Sequence, residues 1–280
     1  WGARSGMISR RSGRNLSTGS PPEPPESSRS MPKRILAIES ATDWLSVALF
    51  EDGQRASLLE SDETRQHASS LMPLIERGLV DLGWTPSSLD GMVVSAGPGS
   101  FTSLRIGLAT AKGLAFGRDL EAVGVSTLEA MAWGVMEEEG SDNGKQVVAL
   151  LDARRGEWYA GGFQRGPDGL LGGIAEGLYD PGMLASDLDE DVVLVCPEPL
   201  GFEAAFEKAG VRIAGIVAER VARPRADRVG EIGLLAFERG ESGPAEALVA
   251  RYLRRAEAEA KRLGGPVESG ELARVQDPSR

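Results

Sequence analysis

The residues able to do chemistry cluster in two short polar runs. Glu39-Ser40-Ala41-Thr42-Asp43 follows one apolar segment, and Asp152-Ala153-Arg154-Arg155-Gly156 follows another. Glu39, Ser40, Thr42, Asp43 and Asp152 together offer hydroxyls, backbone N–H groups and carboxylates. Hydroxyls and N–H groups suit a phosphate, and carboxylates suit Mg²⁺. The set therefore reads as a phosphate or nucleotide turn with its metal ion. The same residue types are ordinary turn formers through local hydrogen bonding. The first run also lacks a glycine that would let backbone approach a phosphate closely. Residue type alone leaves both readings open.

Other chemistry is excluded more firmly. His67 is the only histidine and Cys196 the only cysteine. Neither H-E-x-x-H nor H-x-x-x-H can be built, since Leu71 stands four positions after His67. A Ser-His-Asp triad would have to use His67, and no G-x-S-x-G elbow exists. His67 is expected to be structural. Cys196 forms no internal disulfide, which fits a reducing compartment. Hydrophobic content of 41% and charged content of 26% are those of a soluble globular chain. No apolar run approaches the ~18 residues of a membrane span. Net charge is −11. The basic residues are over-represented before residue 35 and the body is acidic, so it repels a phosphate backbone.

The elements that must position the polar runs follow from periodicity. Residues 1–30, with Pro21-Pro22-Glu23-Pro24-Pro25, bury nothing and read as a disordered extension. Their Arg-rich opening faintly resembles a transit peptide; alternatively, Met31 marks the natural start and the extension is translated upstream sequence. Lys33–Ile38 is a buried strand. Trp44–Phe50 returns with Leu45, Val47 and Leu49 inward, and Arg55–Glu60 follows. His67–Leu82 is an amphipathic helix, with Leu71, Leu74, Ile75, Leu79 and Leu82 on one stripe. Pro73 should bend it or mark its first turn. Met92–Ser95 is a strand, Glu121–Val125 another, and Thr127–Glu138 a helix. After a linker at Glu139–Gly144 the opening repeats. Val147–Leu151 is a strand, Asp152–Gly156 a polar turn, and Glu157–Phe163 a Trp-bearing return strand. Asp191–Cys196 reads as a strand, and Gly201–Ala209 and Arg228–Arg239 as helices. Ala256–Arg262 has helix propensity, and residues 263–280 read as a frayed tail.

The repeat suggests an α/β protein of the actin/Hsp70/sugar-kinase class (ASKHA), two related lobes with mixed sheets. The expected lobes are 31–139 and a smaller 145–262. In that class the two hairpin turns pinch a nucleotide phosphate. The Gly-Gly segment that holds adenosine in working members is not evident near residues 200–240.

One helix stands apart. Gly97-Pro98-Gly99 ends the strand from Met92, and Ser100 or Thr102 offers an N-cap. In the helix that follows, Ser103, Gly107, Ala111 and Ala115 recur every four positions, with Ala109 and Gly113 on an adjoining row. Two helix glycines cost roughly 1 kcal/mol each, so close packing should compensate. The partner in that packing is either another helix or the chain's own sheet. The turn lacks both the G-x-G-x-x-G and the P-loop spacing for phosphate.

Gly97-Pro98-Gly99-Ser100-Phe101-Thr102, with Leu104-Arg105-Ile106-Gly107 after it, resembles the signature of the bacterial TsaB (YeaZ) family. That family is the dimerisation subunit of the tRNA threonylcarbamoyladenosine machinery. The likeness runs from Met31 to about Arg262, with Ser103 where the family usually has Gly. The resemblance implies a non-catalytic, cytoplasmic partner of the TsaD-type enzyme, which transfers threonylcarbamoyl to N6 of adenosine 37 of tRNA. TsaD uses an H-x-x-x-H pair that this chain lacks. The resemblance further implies a heterodimer through a four-helix bundle, a TsaE-type ATPase on that heterodimer, and tRNA contact only through the complex. A homodimer of the chain alone is also expected. Nothing points to a cofactor of this chain itself; ATP or ADP with Mg²⁺ would belong to the complex. The interface residues expected on this basis are Leu71, Ile75, Ser103, Leu104, Gly107, Leu108 and Ala111. Gly107→Leu should then leave the monomer folded and abolish association. The alternative is a small ATPase or kinase of the same fold acting alone. A peptidase is disfavoured by the lone histidine.

Overall fold

The computed structural model describes residue 2 and residues 31–139, 145–166, 169–188, 192–198, 203–211, 213–218 and 220–254. The expected extension at 1–30, the linker at 140–144, the helix at Ala256–Arg262 and the tail at 263–280 lie outside the described residues.

The first sheet grows from β1 (Arg34–Glu39), a run of apolar residues buried on both faces. β2 (Ser46–Glu51) and β3 (Gln54–Glu60) meander antiparallel beside it. The turn between them places Asp52 and Gly53 at φ 48° and 79°, the twist that two-residue hairpins favour. α1 (His67–Asp81) crosses over to β4 (Gly91–Gly97), which pairs parallel with β1. α2 (Phe101–Ala115) leads to β5 (Glu121–Ser126), parallel to β4, and α3 (Thr127–Glu139) follows.

The second sheet repeats the plan. β6 (Val147–Asp152) pairs antiparallel with β7 (Trp158–Gly166), and β7 pairs with β8 (Gly169–Gly172) and with β9 (Gly177–Tyr179). Beyond α4 (Pro181–Asp187), β10 (Val192–Cys196) lies parallel to β6. α5 (Glu203–Ala209) leads to β11 (Ile213–Ala218), parallel to β10. The strand order β3-β2-β1-β4-β5 in one sheet matches β8-β7-β6-β10-β11 in the other. Two mixed-sheet α/β lobes of one topology are the architecture of the actin/Hsp70/sugar-kinase class.

The lobe boundary expected from the sequence needs correction, because each lobe's last helix crosses to the other's sheet. Leu128, Met131 and Val135 of α3 pack with Val147, Ala149 and Leu151 of β6. α6 (Ala226–Glu238) packs Val229, Ile232 and Phe237 against Ile35, Ala37, Phe50 and Val93 of the first sheet. Two glycines let α6 lie that close. A Cβ on Gly230 would stand 2.1 Å from a Phe50 ring carbon, and one on Gly233 would stand 2.3 Å from Val93. β12 (Gly243–Pro244) then pairs with β5 at the edge of the first sheet. Residues 226–253 therefore belong with the first lobe, not within a second lobe reaching 262.

Pro73 does not mark the first turn of α1, which begins at His67; the helix runs through it, with Pro73 exposed. His67 is buried at the helix start, its Nε2 3.3 Å from the Trp44 carbonyl oxygen.

Candidate functional site

β1 and β6 end at equivalent places, and their following turns face one cleft of about 500 Å³. The strand pattern delivers this: each central strand is apolar and buried through its middle and turns polar at its carboxyl end. Thr42, Asp43 and Trp44 line one wall, with Gly99, Ser100 and Thr102 beside them. Asp152, Ala153, Arg154 and Tyr159 line the other, with Pro197 and Glu198 from the end of β10.

Of the five residues expected to surround a phosphate, three reach the cleft. Glu39 and Ser40 do not; both are fully buried beneath the turn. One Glu39 carboxylate oxygen accepts the Ala41 N–H at 2.6 Å, and the other has no partner. Burial pushes this carboxyl up to about 7, against the opposing hydrogen bonds of the Ala41 N–H and Ser95. The Ser40 N–H donates to Ser95 Oγ at 3.2 Å, and its hydroxyl donates to the Ser103 carbonyl at 3.2 Å. These are structural bonds within the lobe.

Of the expected residues, the two carboxylates that face the cleft are each occupied by a guanidinium. Asp43 takes Arg65 at 2.7 and 2.9 Å. Asp152 takes the Arg154 N–H at 2.7 Å and its guanidinium at 3.2 Å. Arg65, Arg154 and Arg155 sit at φ 63°, 68° and 61°, where non-glycine residues are uncommon. The described residues hold no group of three or more His, Cys, Asp or Glu able to bind a metal ion. With Asp43 and Asp152 engaged by arginine and Glu198 the one other carboxylate in the wall, the cleft does not fit Mg²⁺. Sequence reasoning did not single out Arg65, Arg154, Tyr159 or Glu198; Arg154 lay inside the quoted turn, but the others carried no local signal.

The Gly97–Thr102 run clasps this turn. Gly97 takes φ 113°. A Cβ on Gly99 would lie 2.1 Å from the Ala41 carbonyl oxygen, and the Ser100 N–H donates to that same oxygen at 2.7 Å. Ser100, not Thr102, caps α2, its hydroxyl accepting the Ser103 N–H at 3.4 Å. Farther along, a Cβ on Gly107 would fall 2.2 Å from Ser40 Oγ. The small row is thus spent against the chain's own lobe.

That corrects the expected interface. Leu71, Ile75, Leu104, Gly107, Leu108 and Ala111 are all buried within the lobe, and Ser103 is half-buried. Leu71, Ile75, Leu108 and Ala111 belong to one core with Leu36, Ile38 and Val47. The outward side of α2 carries Thr102, Arg105, Ala109, Gly113 and then Phe116, and that of α1 carries Met72, Glu76 and Val80. Phe116 is 85% exposed and Val80 74%. A Cβ on Gly113 would meet nothing within 4 Å. The adjoining row, Ala109 and Gly113, is the one left uncovered.

A closing segment ties both cleft walls together. The Arg251 N–H donates to the Ala96 carbonyl at 2.7 Å. Tyr252 packs on Phe101 with ring centroids 4.7 Å apart, and Arg105 Nε donates to its hydroxyl at 3.1 Å. Arg254 pairs with Glu157 on the β6–β7 turn.

No helix among the described residues is long and apolar enough to cross a membrane. The family model described as TsaD, tRNA N6-adenosine threonylcarbamoyltransferase, matches residues 61–186. The chain is 39% identical over 140 residues to the tRNA threonylcarbamoyladenosine biosynthesis protein TsaB of Escherichia coli K12, spanning 50% of this chain and 59% of that protein. It is 30% identical over 238 residues to the protein of the same name from Bacillus subtilis 168, spanning 81% of this chain and 96% of that one. The solved structure of YeaZ from Pseudomonas aeruginosa superposes with a TM-score of 0.68 at 27% identity, covering 78% of this chain and 98% of that chain. With nearly the whole Bacillus protein matched in sequence and nearly the whole Pseudomonas chain matched in fold, the chain belongs to the TsaB (YeaZ) family.

Proposed function

We propose that the chain is a non-catalytic subunit that holds a TsaD-type enzyme for threonylcarbamoyl transfer to N6 of adenosine in tRNA. The relatives named TsaB carry threonylcarbamoyladenosine biosynthesis in their names. Other relatives, such as that from Geobacter sp. M21, are named tRNA N6-adenosine threonylcarbamoyltransferase and match 34% of this chain at 33% identity. The observation that carries the scaffold role is the outward face of α1 and α2. Met72, Val80 and Phe116 are apolar and exposed there, and Ala109 and Gly113 leave room for a partner helix to approach at the low end of the ~8–10 Å interaxial range. The acidic body, at −11 overall, suits a protein partner better than tRNA, so tRNA is reached through the complex. On this reading the chain works in the cytoplasm, a TsaE-type ATPase engages the heterodimer, and the same face pairs with itself when no partner is present.

The test is size-exclusion chromatography with light scattering of the chain mixed with its cognate TsaD-type subunit. Gly113→Leu should leave the monomer folded, because nothing lies within 4 Å of its Cβ position, and should abolish the one-to-one complex. A complex that survives this change refutes the interface. The alternative, an ATPase or kinase acting alone, is supported only by the size of the cleft. It requires ATP turnover by the purified chain, in a site where Asp43 and Asp152 are already paired with Arg65 and Arg154.

A further inference from the structure

A second pocket, of about 400 Å³, lies at the edge of β5 beyond its short pairing with β12, between α6 and the segment after β12. Part of its wall is apolar, from Ala122, Val123, Val125, Ile232 and Leu248. Four ionisable groups line it as well: Glu129, Glu241, Arg239 and Arg251. Glu129, in the first turn of α3, lines the pocket, and its carboxyl is mostly buried with no hydrogen bond to any described residue. Near it lies Glu176, from the segment before β9, with one carboxylate oxygen buried and unpartnered. Arg251 from the closing segment reaches Glu176 at 3.5 Å, and Arg239 at the end of α6 pairs with Glu241 at 3.1 Å. These four are the charged groups acting on Glu129. Arg239 and Glu241 are exposed and offset each other, which leaves the buried carboxyls of Glu129 and Glu176 facing one guanidinium, Arg251. Buried carboxylates in that state must take up either a proton or a cation. Burial first, then the Glu176 carboxylate, pushes Glu129 up to about 7, so the proton is easily given up near neutrality.

We infer that this pocket is a binding site for a small organic ammonium ion with an apolar body, which takes the place of the Glu129 proton. The apolar wall accepts the body and Glu129 accepts the ammonium N–H groups. The size falls within the range of small-molecule sites, roughly 300–1,000 Å³. The bound ion remains protonated, and the displaced proton passes to solvent.

Cyclohexylammonium chloride is the probe, titrated into the full chain labelled for amide NMR, with cyclohexanol as the neutral match of shape. Saturable shifts at Gly124 and Leu248 are expected with the amine. Affinity should rise about tenfold per pH unit below the carboxyl midpoint and level off above it, as one displaced proton requires. Calorimetry in two buffers of different ionisation enthalpy should count that proton. Glu129→Gln should weaken the amine at least about tenfold, the scale of a lost charge-assisted hydrogen bond, and leave cyclohexanol unchanged. Absence of saturable shifts overturns the assignment. So does pH-independent binding, or cyclohexanol binding as well as the amine. If the variant does not fold, the pH slope and proton count of the wild type decide alone.

Discussion

Glu39→Gln isolates the cost of an ionised carboxylate under the first turn. Glu39 is fully buried, with one oxygen bonded to the Ala41 N–H and the other without a partner. Its pKa is raised from 4.5 to about 7, chiefly by burial. A raised carboxyl pKa means the folded state favours the protonated form. The cost is therefore absent below the unfolded value, grows as pH rises, and is complete above the folded value. The full shift corresponds to about 3 kcal/mol at 1.36 kcal/mol per unit. Because the sequence pI is about 4.8, the useful window starts near pH 5.5, where roughly 1 kcal/mol of that cost is already present. Between about pH 5.5 and 7.5 the wild type should lose about 2 kcal/mol relative to Glu39→Gln. The glutamine keeps an oxygen for the Ala41 N–H and cannot ionise, so it removes the titration while retaining that bond. Glu129 and Glu176 are also raised and titrate in both proteins, so the difference between the two curves reports Glu39 alone. Urea unfolding at matched pH values measures it. Parallel stability curves would refute the claim that this carboxyl is held protonated by its burial.

Gly107→Leu should destabilise the isolated lobe instead of merely blocking association, since even a Cβ would meet Ser40 Oγ at 2.2 Å. Overpacking of this kind costs about 1–3 kcal/mol, read by urea unfolding against an unchanged Gly113→Leu. Asp227 is fully buried and bonded to Arg225, Arg55 and the Arg228 N–H. Burial alone would raise it, but Arg225, then Arg228 and Arg55, hold it below the usual carboxylate range. Its contribution is therefore present at neutral pH and lost on acidification. Asp227→Asn should cost about 3–5 kcal/mol, as breaking a buried pair does, and should flatten the acid side of the stability curve. Arg254→Met should raise amide exchange in the β6–β7 turn, where Glu157 loses its partner, while protection in β1 and β4 stays unchanged.

The first half of the fold was legible because its elements are long and strongly patterned. β1, β2 and β4 are nearly continuous apolar runs, and α1 carries its stripe at helical spacing. In the second half β6, β7, β10, α5 and α6 were legible too, but the remaining elements and the placing of the helices were not, for two physical reasons. β8, β9 and β12 have four residues or fewer, too short for a period to show. The crossing of α3 and α6 between lobes depends on tertiary packing, and a helix stripe names no partner. α6 carries its explanation in Gly230 and Gly233, but their meaning appears only once Phe50 and Val93 lie beneath them.

The same limit governed the site. In α2 the spacing of Ser103, Gly107 and Ala111 correctly announced a close approach, yet not what approaches. An amphipathic helix on a sheet must spend one side on its own core, and the side with the larger apolar groups wins. Leu104, Leu108 and Ala111 share a side with Gly107, so burying them carries Gly107 inward onto Ser40. Fully burying a leucine contributes about 1.5–3 kcal/mol, and no partner helix competes for that side before the lobe has folded. What is left for a partner is the row with less to bury, Ala109 and Gly113, flanked by Phe116 and facing solvent. A sequence-based search for an association surface on a small-residue helix therefore does better to subtract the row that holds the leucines and examine the row that remains.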